Sequence, residues 1–512
     1  MKPTVTGSKL FITLAAMSGA LMALLDISIV NVALSDIRAS FGTPLDQIAW
    51  VSTGYMMANV VVIPMTGWLQ ARFGFKRYFT ASVLLFVVAS TLCALAWNLP
   101  SLVFFRVLQG IGGGAIIPTS QAILFAAYPG PQRNMAGALF GLGAVMGPLL
   151  GPTVGGYLIE IGSWHWIFLI NVPIGLTSAW LAWKHVNQPD FVPARDPIDV
   201  TGIALLVAGM GSLQWVLEEG NREGWLDSTK VCVFAAVAFV SLATFVVHEL
   251  ETPHPVVDLR VFLNLPYAAA TGLNFLVGTV LFGATFMFSL YAGAVMHYTA
   301  LQIGLLFLQC NWIQILIMPL LGRFGNRIDG RLLVSVGVLL MMLSMSYNVA
   351  LDQTADPAAM QRPLYLRALA LSAMMMPLSV MALSTLRPSQ MGTGAGLFNL
   401  TRELGGSIGT AWMSTMIDRG THVHGTALAA HVNVYESVTQ DAMTSLERGV
   451  VAATSDPHAA AVAVLANRVR GQALILAFSD NYATLIAVFA LSFLLVGLLQ
   501  RQRTGVDASA AH

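Results

Sequence analysis

About fourteen apolar runs, most of them long enough to cross a bilayer as a helix, recur along this chain. They lie near 10–34, 48–69, 78–97, 101–127, 135–159, 166–184, 200–218, 231–248, 266–296, 300–322, 332–351, 364–385, 393–416 and 471–499. Hydrocarbon offers no partner for backbone N–H and C=O groups, so continuous apolar runs of this length must be helical. The fold class is therefore an all-α polytopic membrane protein. Composition agrees: 56% of residues are hydrophobic and 10% charged, against about 25% charged in soluble domains. A net charge of +1 gives no argument for a nucleic-acid partner. Cys93, Cys232 and Cys310 each sit inside an apolar run and read as small packing residues rather than a disulfide framework.

An even number of spans puts both termini on one side. Loops on that side hold most of the basic residues, among them Lys2, Lys9, Arg72, Lys76, Arg77, Arg133, Arg323 and Arg327. Short loops opposite hold Arg38, Arg222, Lys230, Arg362 and Arg367. The positive-inside rule then makes both termini cytoplasmic. The first run is too long for a signal peptide and has no evident cleavage site, so it is expected to stay as an anchor. Two stretches break the rhythm: a polar, Pro-rich linker at 185–199 and an Ala-rich external segment at 417–470, which is expected to carry helices of its own. Glycine-bearing basic turns follow the second span (Gly67 to Arg77) and the tenth (Gly322 to Arg331). They suggest two six-helix bundles, 1–185 and 256–512, with the linker and two inserted helices at 186–255, the repeat architecture of a secondary transporter.

Asp26 lies amid the first run, where a carboxylate costs a few kcal/mol and is a functional candidate by default. It shares a helix face with Ile29, Val30 and Ala33, whereas Ser28 and Asn31 lie nearly opposite and suit interhelical hydrogen bonding. Arg106, Gln109, Gly110 and Gly113 share one face of the fourth span. Arg106 there either meets a wet cavity or a partner acid, or snorkels to the interface. Gly110 to Gly114 is no phosphate loop, since no strand precedes it and no Gly-Lys-Ser/Thr follows. Without a nucleotide site, uphill transport must draw on an ion gradient.

Gly143, Gly147, Gly151 and Gly155 recur every fourth residue, leaving a groove for a neighbouring helix, and Pro148 and Pro152 each remove a backbone hydrogen bond. The stretch reads either as a bent helix sealing one face of a moving bundle or as a static seam. Glu403 is the second membrane-embedded acid, a coupling group or half of a structural ion pair. Asn399 shares its face, while Arg402 points about 100° away. Gln109, Gln121, Tyr291, Gln309, Asn311 and Asn399 are polar groups within spans and are candidates to line a substrate cavity. Met374 to Met376 offer either a soft surface for apolar ligands or ordinary packing. His422, His424 and His431 have metal-like spacing but no cysteine or carboxylate cluster beside them, and are expected in a solvated segment.

Together these segments resemble the major facilitator superfamily, and within it the fourteen-helix drug:proton antiporters of the EmrB type. Leu25 to Leu34 (L-D-I-S-I-V-N-V-A-L) is similar to that branch's first-helix signature. Gly67 to Arg77 resembles the superfamily's loop motif, Arg106 to Gly110 its fourth-helix motif, and Gly147 to Gly156 its antiporter motif. Trp164 to Gly175 and Asn399 to Gly409 also look like segments of the branch. The loop motif departs in one place: Ala71 stands where the superfamily usually has an acid, so the charge latch of many relatives is missing or made differently. The resemblance implies Asp26 as a protonatable coupling group, Arg106 as the partner that biases it, and Gly67, Gly74, Arg77, Gly147, Pro148, Gly151, Pro152 and Gly155 as motif and hinge positions. It implies multidrug efflux driven by the proton gradient with no cofactor, apolar or amphipathic small-molecule substrates, a location in the cytoplasmic membrane, and a periplasmic adaptor with an outer-membrane channel. The alternatives are proton-coupled transport of one native metabolite and a non-transporting receptor or scaffold. No nucleophile–base pair or metal-ligand set within the spans speaks for an enzyme.

Overall fold

A computed structural model describes residues 5–189, 191–432, 435–450 and 456–499. The first half consists of α1 (Lys9–Phe41), α2 (Trp50–Ala94), α3 (Leu99–Ala127), α4 (Arg133–Ile161) and α5 (Trp166–His185). Then follow α6 (Val200–Glu219) and α7 (Thr229–Glu251), and next α8 (Leu265–Ala294), α9 (Ala300–Phe324), α10 (Gly330–Val349) and α11 (Pro357–Ser384). The chain closes with α12 (Met391–Ala430), α13 (Ser437–Val450) and α14 (Pro457–Leu498). Side-chain caps start several of these helices. Asn98 and Thr299 form reciprocal capping boxes with Ser101 and Gln302, and Asp356 caps α11, each satisfying amides that the helix itself leaves free.

Twelve helices among the described residues are long and apolar enough to cross a membrane, against about fourteen expected. Two differences account for this. The second and third predicted spans form the single element α2, whose direction breaks at Gly74, with φ 77° and ψ 160°. Only glycine adopts that conformation readily. The two arms of α2 then lie along the same helix: a Cβ at Gly110 would meet Tyr55, and one at Gly112 would meet Ser82 and Phe86. The thirteenth predicted span lies in α12, whose polar and glycine-rich sequence keeps it outside the twelve.

The segment 417–470 is mostly helix rather than loop. α12 runs on to Ala430, α14 begins at Pro457, and α13 lies between them. His424 of the α12 extension pairs with Asp480, farther along α14, at 2.7 Å. In the span predicted at 266–296, a π-helical turn at Thr279–Ala284 interrupts α8. There Thr279 donates to the Gly405 carbonyl at 3.0 Å. A Cβ at Gly278 would collide with the Arg402 carbonyl, and one at Gly405 with the Phe275 carbonyl.

Contacts between the two halves gather on the side of the chain termini. A Cβ at Gly67 would collide with Thr393, one at Gly392 with Gln70 Oε1, and one at Gly322 would come 2.7 Å from Ala138 Cβ. Arg133 donates to the Ser384 carbonyl. Around Ala71 the linker supplies backbone contacts: the Ala194 amide donates to the Ala71 carbonyl at 3.0 Å and Arg72 to the Asp196 carbonyl at 3.1 Å. Gln188 accepts from the Phe75 amide at 2.7 Å, and Lys76 donates to Asn187 at 3.1 Å. Gly74 lies under Gln188 and Phe191 of the same linker, while Arg77 stays exposed.

Gly143, Gly147, Gly151 and Gly155 of α4 face α1. A Cβ at Gly147 would collide with Leu24, one at Gly151 with Ser28, and one at Gly155 would come 2.7 Å from Ile29 Cγ1. Ser28 donates to the Gly147 carbonyl at 3.0 Å, and Asn31 accepts from Ser52 at 3.1 Å, so both side chains bind helix to helix. The side chains of Pro148 and Pro152 lie outside the described residues. Because the Gly147 contact involves backbone as well as side chain, Gly147→Ala should cost about 1–3 kcal/mol through overpacking. A lower midpoint in thermal unfolding of purified protein, with Gly156→Ala (open space around it) as the neutral control, checks this.

Candidate functional site

Asp26 and Arg106 meet inside the first half. Asp26 is 0% exposed and Arg106 1%, and Arg106 Nη1 donates to Asp26 Oδ2 at 2.5 Å. The other carboxylate oxygen accepts from Gln109 Nε2 and Asn171 Nδ2, each at 2.8 Å. Arg106 also donates from Nε to the Val51 carbonyl at 3.0 Å and from Nη1 to Gln109 Oε1 at 2.8 Å. Its guanidinium lies 4.3 Å from the Tyr55 ring centroid. Four helices supply the cluster: α1 the acid, α2 the carbonyl and ring, α3 the arginine and Gln109, α5 the asparagine.

Such a pair makes chemical sense only when complete. Removing one partner leaves a buried charge at a cost of about 3–5 kcal/mol, which Gln109 and Asn171 can offset only in part. The pair is buried in this conformation, so a proton reaches Asp26 only if packing around it opens. Of the two readings of Arg106, the partner acid holds and snorkelling does not. Gln109 belongs to this cluster rather than to a substrate cavity. Asn171 completes the site without any mark of that role in the sequence, because periodicity cannot show which distant helix an amide meets. Its second bond goes to Ser90 at 3.0 Å.

Glu403 sits on α12, 7% exposed, and borders a cavity of about 230 Å³ with Glu218 and Asn221 from the α6 side and Phe282, Ser407 and Ser414 opposite. It accepts no hydrogen bond from a described residue. Arg402 approaches only to 4.0 Å and spends its Nη2 on Asn399 Oδ1 at 2.8 Å. α6 is tied to this cavity by Gln214 to Ser407 and Asn221 to Ser414, both at 3.1 Å. Sequence reasoning did not foresee an inserted helix beside Glu403.

The remaining cavity candidates divide. Asn311 lines a small cavity with Gln314, Phe307 and Arg367. Gln309 does not: two positions from Asn311 on α9, it is turned by about 200° and exposed. Gln121 and Asn399 clasp the halves together, the Asn399 amide donating to Gln121 at 2.6 Å, and both are buried. Tyr291 donates its hydroxyl to the Asp352 carbonyl at 2.6 Å and packs edge-on against Phe478, a structural placement. Arg367, assigned to an external loop from the sequence, lies within α11 and is 6% exposed.

Comparison with known proteins adds a family to this geometry. The Major Facilitator Superfamily model matches residues 16–410. The chain belongs to that superfamily. It is 36% identical over 439 residues to the multidrug export protein EmrB of Haemophilus influenzae, covering 86% of each chain. It is 34% identical over 450 residues to the fatty acid resistance protein FarB of Neisseria gonorrhoeae, covering 87% of this chain and 88% of that one. A third relative, the colistin resistance protein EmrB of Acinetobacter baumannii, is 30% identical over 487 residues and 94% of each chain. Among solved structures, the human organic anion transporter MFSD10 aligns with TM-score 0.57 at 13% identity over 96% of this chain and 99% of that one. The proton:xylose symporter XylE aligns with TM-score 0.55 at 14% identity, over 92% and 94%. At those identities the two structures show the fold alone. This major facilitator protein is thus a multi-pass membrane transporter of the EmrB type, not an enzyme.

The cluster geometry predicts a coupling between two substitutions. Arg106→Gln should lower stability by about 3–5 kcal/mol, and adding Asp26→Asn should recover a substantial part of that loss. Unfolding midpoints of the two single variants and the double variant check it, and strictly additive losses would contradict the ion pair's role.

Proposed function

We propose that this protein exports drugs from the cytoplasm in exchange for protons, by alternating access. The observation that carries the reading is the buried Asp26–Arg106 pair, held by Gln109 beside Arg106 and by Asn171 and the Val51 carbonyl from two further helices, within an EmrB-like chain. Protonating Asp26 would cancel its charge, release Arg106 to its bonds with Val51 and Gln109, and weaken the contact between α1 and α3. Loss of that proton would restore the pair. Energy comes from the proton gradient, with no cofactor. Glu403, facing a cavity without a hydrogen-bond partner among the described residues, suits a second protonation site.

The two halves, 1–185 and 256–512, act as the moving bodies, with 186–255 as the inserted linker and helix pair and the Gly147 to Gly155 seam as the antiporter hinge. Contacts of Gly67, Gly392 and Gly322 support a state closed on the side of the termini, which the positive-inside rule makes cytoplasmic. Substrates are apolar or amphipathic small molecules, in keeping with relatives named for multidrug export, fatty acid resistance and colistin resistance. A periplasmic adaptor and an outer-membrane channel complete the route, with the extensions in 417–470 as the adaptor contact.

In proteoliposomes, Asp26→Asn should abolish substrate-driven proton movement, and Glu403→Gln should reduce it. Full proton movement in Asp26→Asn would remove Asp26 from the coupling role.

A further inference from the structure

A groove of about 430 Å³ runs along the outside of the first half and shares no lining residue with the coupling cluster. The two arms of α2 form its walls, and Ile111 of α3 lies in its floor. Met65, Leu69 and Phe73 stand four apart on one arm, and Arg77, Ala81 and Leu85 four apart on the other. Residues so spaced share one face of a helix, so each arm lends the groove one continuous strip. Phe73, Ala81, Leu85 and Ile111 are exposed, and the groove therefore opens outward. Apart from Arg77, Tyr78 and Ser82 its lining is apolar.

Depth and charge say what fills it. From Arg77 to Leu85 the second arm rises about 12 Å at 1.5 Å per residue, close to the half-thickness of a hydrocarbon layer about 30 Å deep. The groove thus has the length of one leaflet. A partner helix would cross both leaflets, whereas a lipid tail ends at mid-depth. The other end of the groove lies next to the Gly74 break. There Arg72, Lys76 and Lys184 lie over the rings of Trp68, Trp183 and Trp180, and tryptophan beside basic residues marks the membrane–water interface. The linker occupies Arg72 and Lys76, and Asp196 of that linker turns its carboxylate to His254 at 3.3 Å. Arg77 makes neither a hydrogen bond nor an ion pair to a described residue. A guanidinium fork pairs with phosphate through two parallel bonds.

We propose that the groove holds one acyl chain of an anionic phospholipid from the leaflet on the side of the termini, with the phosphate on Arg77. The chain contacts both arms of α2, on either side of the Gly74 break, so the lipid braces the turn between them. This site does not depend on the export reading: it needs only a bilayer and the first half of the molecule.

The test uses full-length protein in phosphatidylcholine nanodiscs doped with a photoreactive probe, either phosphatidylglycerol or phosphatidylcholine with a diazirine near the end of one acyl chain. Adducts are mapped by peptide mass spectrometry. Around Leu85 and Ile111, wild-type protein should carry about fivefold or more label from the phosphatidylglycerol probe than from the phosphatidylcholine probe, the strength of one basic residue beside an anionic lipid. Arg77→Gln should bring the two probes level there. Ala81→Trp, which fills an exposed position of the groove, should lower both. Excess glycerol 1-phosphate, a head-group phosphate without a chain, should displace neither probe. Equal wild-type labelling by the two probes at that place would overturn the proposal, whether or not a variant folds. So would a preference unchanged in Arg77→Gln or labelling unchanged in Ala81→Trp. Displacement by glycerol 1-phosphate would overturn it too, by marking a phosphate site rather than a lipid site.

Discussion

A carboxylate and a guanidinium buried together in the first half set the terms for everything around them. Taking both out of water costs several kcal/mol per ion, and their attraction repays this only when geometry is good and the remaining hydrogen-bonding positions are filled. Here both carboxylate oxygens are occupied, one by Arg106 and the other by Gln109 and Asn171. The arginine is further held by Val51 and Tyr55. Four helices must keep register for this to persist, so changing the charge on Asp26 bears on the packing of all four.

Close approach through glycine makes such register possible. Without a hydrophobic driving force between helices in lipid, association relies on van der Waals contact and interhelical hydrogen bonds. Gly147, Gly151 and Gly155 bring α4 onto α1 one turn from Asp26, and Gly110, Gly112 and Gly114 bring both arms of α2 onto α3 beside Arg106. Gly67, Gly392 and Gly396 repeat the device between halves. The same residue type thus serves cohesion within a half and closure between halves. The linker backbone at Ala71 adds neutral hydrogen bonds at a position where relatives of the superfamily usually carry an acid.

Two ionisable groups that face cavities differ in sign and place. Glu403 borders a space shared with the inserted helix α6, and Arg367 borders one shared by both halves.

The fold class was legible in sequence because a bilayer leaves apolar runs of this length no alternative to helix. Asp26 and Arg106 stood out for the same reason: charge in such a run is costly enough to demand an explanation. Helix periodicity even assigned Ser28 and Asn31 to interhelical bonding. Tertiary structure alone decided partners. Whether Arg106 snorkels or pairs, that Asn171 completes the site, that Gln109 joins the acid, that Gln309 turns away while Asn311 faces a cavity, and that Arg367 is buried rather than in a loop all depend on rotations and depths of separate helices. Periodicity fixes which residues share a face, but not which helix that face meets, because hydrocarbon presents every helix with the same apolar surroundings and only side-chain packing tells neighbours apart.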